Sequence, residues 1–273
     1  MDTERKPRCP RRARRRLPSA AIAAVALLGG LSATSLAEVS QSGGVIVNFD
    51  GGISPHSLPR TGTAPVAVGV DAALRALDGS DPPPQLRRIT IAINRNGRIF
   101  DRGLPTCRVR KIQPSTIRAA RRICGAAIVG RGSVRVRVHL RNQPPFTFRG
   151  PLLFFNAKRS AGKRRILAQV YGRRPPSAFV LVFRILKRKG EFGTVIRTTL
   201  PKPARSWAYV THFEMKLRRT YTWRGKRRSF LSAGCAAPAG FPGAIYPFAR
   251  ARFDFAATPP VTSTLVRSCR ARG

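Results

Sequence analysis

His212 and Glu214 stand two residues apart in the stretch Tyr209–Met215, which reads as a strand. A repeat of two puts both side chains on one face. An imidazole beside a carboxylate is the start of an acid–base pair, or half of a metal site if a third ligand joins. The ordinary use is a hydrogen-bonded pair on a half-solvated strand, and that is the expectation. Asp254, between Phe253 and Phe255, is expected to pair with a nearby arginine. Asp71, Asp78, Asp81 and Asp101 fall near turn signals, where Asp bonds or caps backbone. A glycosidase needs two facing carboxylates about 5–10 Å apart, and the sequence alone places no two of these so. Gly125–Gly132 is glycine-rich, but it lacks the Lys-Ser/Thr of a phosphate loop and follows a helix instead of opening one. No Gly-x-Ser-x-Gly nucleophile motif occurs.

Charge is the larger signal. The 273 residues carry 52 Lys+Arg against 11 Asp+Glu, a formal net charge of +41. Without residues 1–37, 44 basic and 9 acidic residues remain. Such an excess attracts polyanions: nucleic acid, teichoic acid or an acidic polysaccharide. Composition supplies a blander origin, since 43 of the cations are Arg and only 9 are Lys, as GC-rich codons dictate. Position separates the two readings. If the strands after Pro151 run up and down, loops 158–165, 187–190 and 224–228 share one end. The first carries Lys158, Arg159, Lys163, Arg164 and Arg165. The second carries Lys187, Arg188 and Lys189, and the third Arg224, Lys226, Arg227 and Arg228. Loops 172–177 and 201–206 at the other end carry only Arg173, Arg174, Lys202 and Arg205. Uniform codon bias does not make a polar molecule, so the basic end is the candidate polyanion-binding surface. Tyr221 and Trp223 beside it could stack on sugars or bases.

The first 37 residues read as an address. Eight basic residues precede an apolar run, Ser19–Leu31, and small residues follow, with Ser35 and Ala37 at −3 and −1 of an expected cut after Ala37. The arginines before the run also suit the twin-arginine route. An apolar run of about 13 residues with Gly29 and Gly30 spans a bilayer poorly. Cys9 leaves with this leader. Cys107, Cys124, Cys235 and Cys269 remain, and an even number in an exported chain predicts two disulfides. Four cysteines allow three pairings; the local one, Cys107–Cys124 with Cys235–Cys269, is expected. There is no C-x-x-C, and His56, His139 and His212 are scattered, so neither metal nor cofactor is expected.

The elements that must hold these residues are mostly strands. Val45–Phe49, Leu86–Asn94 and Val134–Leu140 alternate or run apolar. Asn94–Gly97 carries a hairpin signal. The one helix predicted is Thr116–Cys124, with Ser115 as N-cap and Gly125 at its stop, pinned between two cysteines. From Pro151 strands recur: 152–157, 165–171, 178–186, 192–200, 207–223 with a break near Arg218, 228–232, 249–256 and 261–269. Many strands, turn signals and one short helix predict an all-β, antiparallel β-sandwich forming a single domain over 38–273.

Several stretches look familiar together: Gly103-Leu-Pro-Thr-Cys107, Cys124-Gly-Ala-Ala-Ile-Val-Gly-Arg-Gly132, Tyr209-Val-Thr-His-Phe-Glu-Met215, Phe241-Pro-Gly and Thr264-Leu-Val-Arg-Ser-Cys269. They resemble a family of uncharacterised exported proteins of high-GC Gram-positive (actinobacterial) lineages. The resemblance implies export and paired cysteines and brings no activity with it. The expectation is therefore a secreted or cell-envelope binding module that docks on an anionic cell-wall polymer or polysaccharide, with nucleic acid disfavoured by export. The alternative is a secreted hydrolase whose carboxylates meet only in the fold.

Overall fold

The structure, a computed structural model, describes residues 37–173, 176–201 and 207–272. The expected leader lies outside the described residues except for Ala37. Alternation builds the first strands: Val45, Val47 and Phe49 are fully buried while Ile46 and Asn48 are half-exposed between them. The strands are β1 (Glu38–Ser42), β2 (Val45–Ser54), β3 (Ser57–Pro59), β4 (Ala64–Pro65), β5 (Ala67–Ala76), β6 (Leu86–Ile93) and β7 (Gly97–Ile99). Two short helices follow, α1 (Val109–Ile112) and α2 (Ile117–Cys124), and a 3-10 turn at Gly125–Ala127. Then come β8 (Ile128–Val138), β9 (Phe146–Ser160), β10 (Lys163–Arg173), β11 (Pro176–Lys187), β12 (Thr194–Thr199) and β13 (Ala208–Leu217). The chain ends with β14 (Thr220–Trp223), β15 (Lys226–Ser229), β16 (Leu231–Ala233), β17 (Gly243–Phe255) and β18 (Val261–Arg272).

Thirteen strands form one sheet in the order β1-β2-β5-β13-β8-β9-β10-β11-β12-β6-β17-β18-β3. Every pairing in it is antiparallel except β18 with β3. The sheet folds over on itself. Phe49 of β2 meets Phe253 of β17 edge to face at 5.9 Å, and Phe213 of β13 lies 6.5 Å from Phe253. The two layers, β2-β5-β13-β8 and β12-β6-β17-β18, are joined through β9, β10 and β11. The chain is all-β and antiparallel, as its sequence predicts, and both layers come from a single ribbon of strands.

The helices lie on the outer face of the bend. Ile112, Ala120 and Cys124 pack on Leu153, Phe155 and Leu167 in a second apolar cluster. Cys107–Cys124 and Cys235–Cys269 are both bonded, the pairing expected from sequence. Gln169, fully buried in β10, donates to the carbonyls of Ile112 and Ser115 at 3.0 and 2.8 Å and so ties the helical segment down.

Three local expectations need correction. The α2 cap is Thr116, whose Oγ1 accepts from Ala119 N (3.2 Å); Ser115 instead donates to Ile112 O. Asn94–Gly97 does turn, with Asn94 Oδ1 accepting from Asn96 N at 3.0 Å, but it makes no hairpin. Both edges of β6 are already taken, by β12 and β17, so β7 leaves to pair with β16. The run of strands after Pro151 is a meander only through β12. β13 departs to lie between β5 and β8, and Arg218–Arg219 separate it from the small hairpin β14–β15.

Candidate functional site

The basic end is assembled by two tight turns. Ala161-Gly162 joins β9 to β10 and Arg224-Gly225 joins β14 to β15, with positive φ at both residues of each pair (48° and 71°, 51° and 68°). Lys158 and Arg159 end β9, Lys163, Arg164 and Arg165 open β10, and Lys187, Arg188 and Lys189 lie where β11 turns toward β12. The β14–β15 turn belongs to a separate two-stranded sheet, but it returns to the same end. Trp223 packs on Phe100 at 5.8 Å, and a Cβ on Gly103 would collide with its indole, so glycine is what lets the ring seat there. The result is an open cleft of ≈ 580 Å³ lined by Arg102, Lys158, Arg159, Trp223 and Arg224, with Asp101 inside it.

The twelve predicted cations do not all face a partner. Asp101, 8% exposed, holds Arg159 (2.9 Å) and Arg164 (3.3 Å). Arg165 donates to Lys158 O through Nε and Nη2, at 3.1 and 2.7 Å. Arg224 lies over the Trp223 ring and Arg228 over Phe100, at 4.7 and 5.5 Å. Lys158, Lys163, Lys187, Arg188, Lys189, Lys226 and Arg227 are exposed and make no ion pair among the described residues. Of the cations assigned to the opposite loops, Arg174, Lys202 and Arg205 lie outside the described residues.

The carboxylates are spread more purposefully than their turn signals suggest. Asp78 behaves as expected: it accepts from Ser80 N at 2.9 Å, and that bond holds its carboxyl below the usual range. Asp254 takes Arg252 at 2.8 Å, and Asp81 takes Arg137 at 2.7 Å. Asp71 does not sit near a turn. It occupies the middle of β5, opposite Asp50 of β2 on one side and Glu214 of β13 on the other. Cross-strand neighbours stand about 5 Å apart at Cβ, so three of the chain's 11 acids form one row on one face. His212 Nε2 is 2.8 Å from Asp71 Oδ2, and Arg267, 9% exposed, pairs with Asp50 and donates to Gly51 O at 2.7 Å. The row borders an open concavity of ≈ 430 Å³ that also includes His56. Asp50 and Asp71 are thus each committed to a cation or an imidazole, and Glu214 alone stands exposed.

A third feature has no counterpart in the sequence reading. Between the layers, on the β8–β11 side, lies a cavity of ≈ 410 Å³. Phe146, Phe148 and Phe154 of β9 form one wall, Phe179, Leu181 and Phe183 of β11 another, and Val210, Phe213 and Met215 of β13 a third. Six of the chain's 15 phenylalanines line it. Ser177 and Trp207 are the residues of its lining whose side chains carry an O–H or N–H. Leu140, Ser177, Pro201 and Trp207 fall at the strand ends opposite the basic turns, so the cavity extends toward that end. Toward the basic end the interior closes to a void of ≈ 40 Å³. A pocket of this volume and lining matches the general pattern of small-molecule sites, and each CH₂ of a guest that leaves water there contributes about 0.8 kcal/mol. Phe148 owes its place to two glycines: a Cβ on Gly172 or Gly150 would fall 1.7 or 2.8 Å from its ring.

Comparison with family models, with curated proteins and with solved structures finds no match to this chain.

Proposed function

We propose that this protein is a non-catalytic, exported binding module that docks by its basic end on an anionic polymer of the cell envelope. The observation that carries the reading is the open cleft where exposed Lys158 stands beside Trp223, with Arg159 and Arg224 held at its walls by Asp101 and the indole ring. Cations hold a phosphate or carboxylate backbone, and an aromatic face beside them packs on sugar or base rings. Six further exposed cations on these turns, Lys163, Lys187, Arg188, Lys189, Lys226 and Arg227, add steering without needing individual geometry. Two disulfides favour an oxidising compartment.

The test is retention on immobilised lipoteichoic acid and on heparin. Retention is expected to fall steeply from about 50 mM to about 200 mM salt, as counterion release requires. Lys158→Ser, Lys226→Ser and Arg227→Ser combined should shift elution to lower salt, because none of the three supports the fold through an ion pair. Arg159 and Arg164 are left intact for the opposite reason. Elution of the triple variant with the parent chain refutes the reading.

The Asp50–Asp71–Glu214 row keeps a hydrolase as the second reading. It ranks lower because the three carboxylates stand side by side on one face and two are already paired. Hydrolysis of an envelope glycan that is abolished in Glu214→Gln would put it first.

A further inference from the structure

We propose that the interior cavity is a binding site for a single-chain amphiphile, an acyl chain carrying an anionic head group. This is independent of the basic end and its polymer. The walls are hydrocarbon and aromatic ring, so the body of the guest is apolar and makes no directed bonds. The space of ≈ 410 Å³ equals about 14 water volumes of ~30 Å³, which suits one long chain and not two. Folding a sheet over on itself produces such a chamber for the reason a barrel does: strand curvature holds the two walls apart farther than side chains reach. The wall residues bear this out. Phe146, Phe179, Leu181, Phe183, Val210 and Met215 face inward, yet each stays partly accessible, because it fronts the cavity instead of a neighbour.

The head group is placed by the rim. Ser177 and Trp207, the lining residues with an O–H or N–H side chain, lie at the strand ends away from the basic turns. Leu140 of the lining precedes Arg141, which is exposed, and Leu200 of the lining donates its N–H to the carbonyl of Arg87, also exposed (2.9 Å). Neither arginine makes an ion pair among the described residues. The backbone of two exposed arginines thus adjoins the lining at this end, and their long side chains are within reach of a carboxylate or phosphate whose tail lies in the apolar interior.

Binding of cis-parinaric acid to the full, oxidised chain, followed by its fluorescence and by displacement with palmitate, tests this. One saturable site per chain, emptied by palmitate, is expected. Ala168→Phe, which projects a ring into the cavity from β10, should weaken binding at least tenfold with the circular dichroism unchanged. Val210→Phe does the same from the facing β13 and decides the matter if the first variant fails to fold. Absence of saturable binding to the parent chain, or undiminished affinity in the folded variants, overturns the proposal. Arg87→Glu with Arg141→Glu should weaken palmitate about fivefold and leave hexadecanol unchanged. Equal losses for the two, or no loss for palmitate, overturn the anionic head group.

Discussion

Asp101 holds two arginines at once, Arg159 and Arg164. It is nearly buried, receives two arginines from adjoining strands, and stands inside a cleft that is otherwise basic. Removing its charge leaves Arg159 and Arg164 repelling each other. Asp101→Asn should therefore cost about 2 kcal/mol, the usual scale for a hydrogen bond to a charged group, measured by urea unfolding. The same substitution should strengthen polymer retention, since it frees two cations. Tyr246 offers a different test. Burial pushes its phenol above the ordinary value of 10.0. Its neutral form then stabilises the fold fully below about pH 10, and that contribution is lost as pH rises through the raised value. Tyr246→Phe should flatten the fall in stability above about pH 10, measured as Tm against pH. Gly172 is the third case: Gly172→Ala places a methyl within the Phe148 ring and should cost about 1–3 kcal/mol through forced repacking.

Among elements, the strands were the most readable part of the chain and their partners the least. Alternation in 45–49 or 86–93 marks a half-buried strand because one face meets the core, whatever lies alongside. Nothing local says that β13 will abandon the meander for β5 and β8, or that β6 has no free edge for a hairpin after Asn94. The helix α2 was legible from its cap, its glycine and its two cysteines, with the capping residue shifted by one, whereas the four-residue α1 and the 3-10 turn after α2 were not foreseen. The disulfide that fixes it closes a 17-residue separation, which constrains the unfolded chain by about 3 kcal/mol. Cys107→Ser with Cys124→Ser should lose about that much by urea titration. Amide exchange in α2 should quicken first, since the helix has eight residues and little else to hold it than its small apolar cluster and Gln169.

At the scale of the whole molecule, polarity is the organising fact: cationic turns at one end, an apolar chamber reaching toward the other. The first half was visible in the sequence for two of its three turns, because β9 to β12 do run up and down and hairpin parity sorts 158–165 with 187–190. The third turn, 224–228, arrives through the separate β14–β15 sheet, which parity does not predict. The second half was not visible. A phenylalanine facing a chamber and one facing a packed core obey the same period-two pattern, and only the spacing of the layers tells them apart. The carboxylate row was hidden for a related reason, since Asp50, Asp71 and Glu214 become neighbours only through registers across three strands.

β18 sits deep in the assembly. It runs between β17 and β3, its Leu265 is fully buried, and its Arg267 reaches across to Asp50 and Gly51 of β2. A substitution that breaks this one strand is therefore felt at three others at once: β17 and β3, which it pairs with, and β2, which its arginine reaches across the interior.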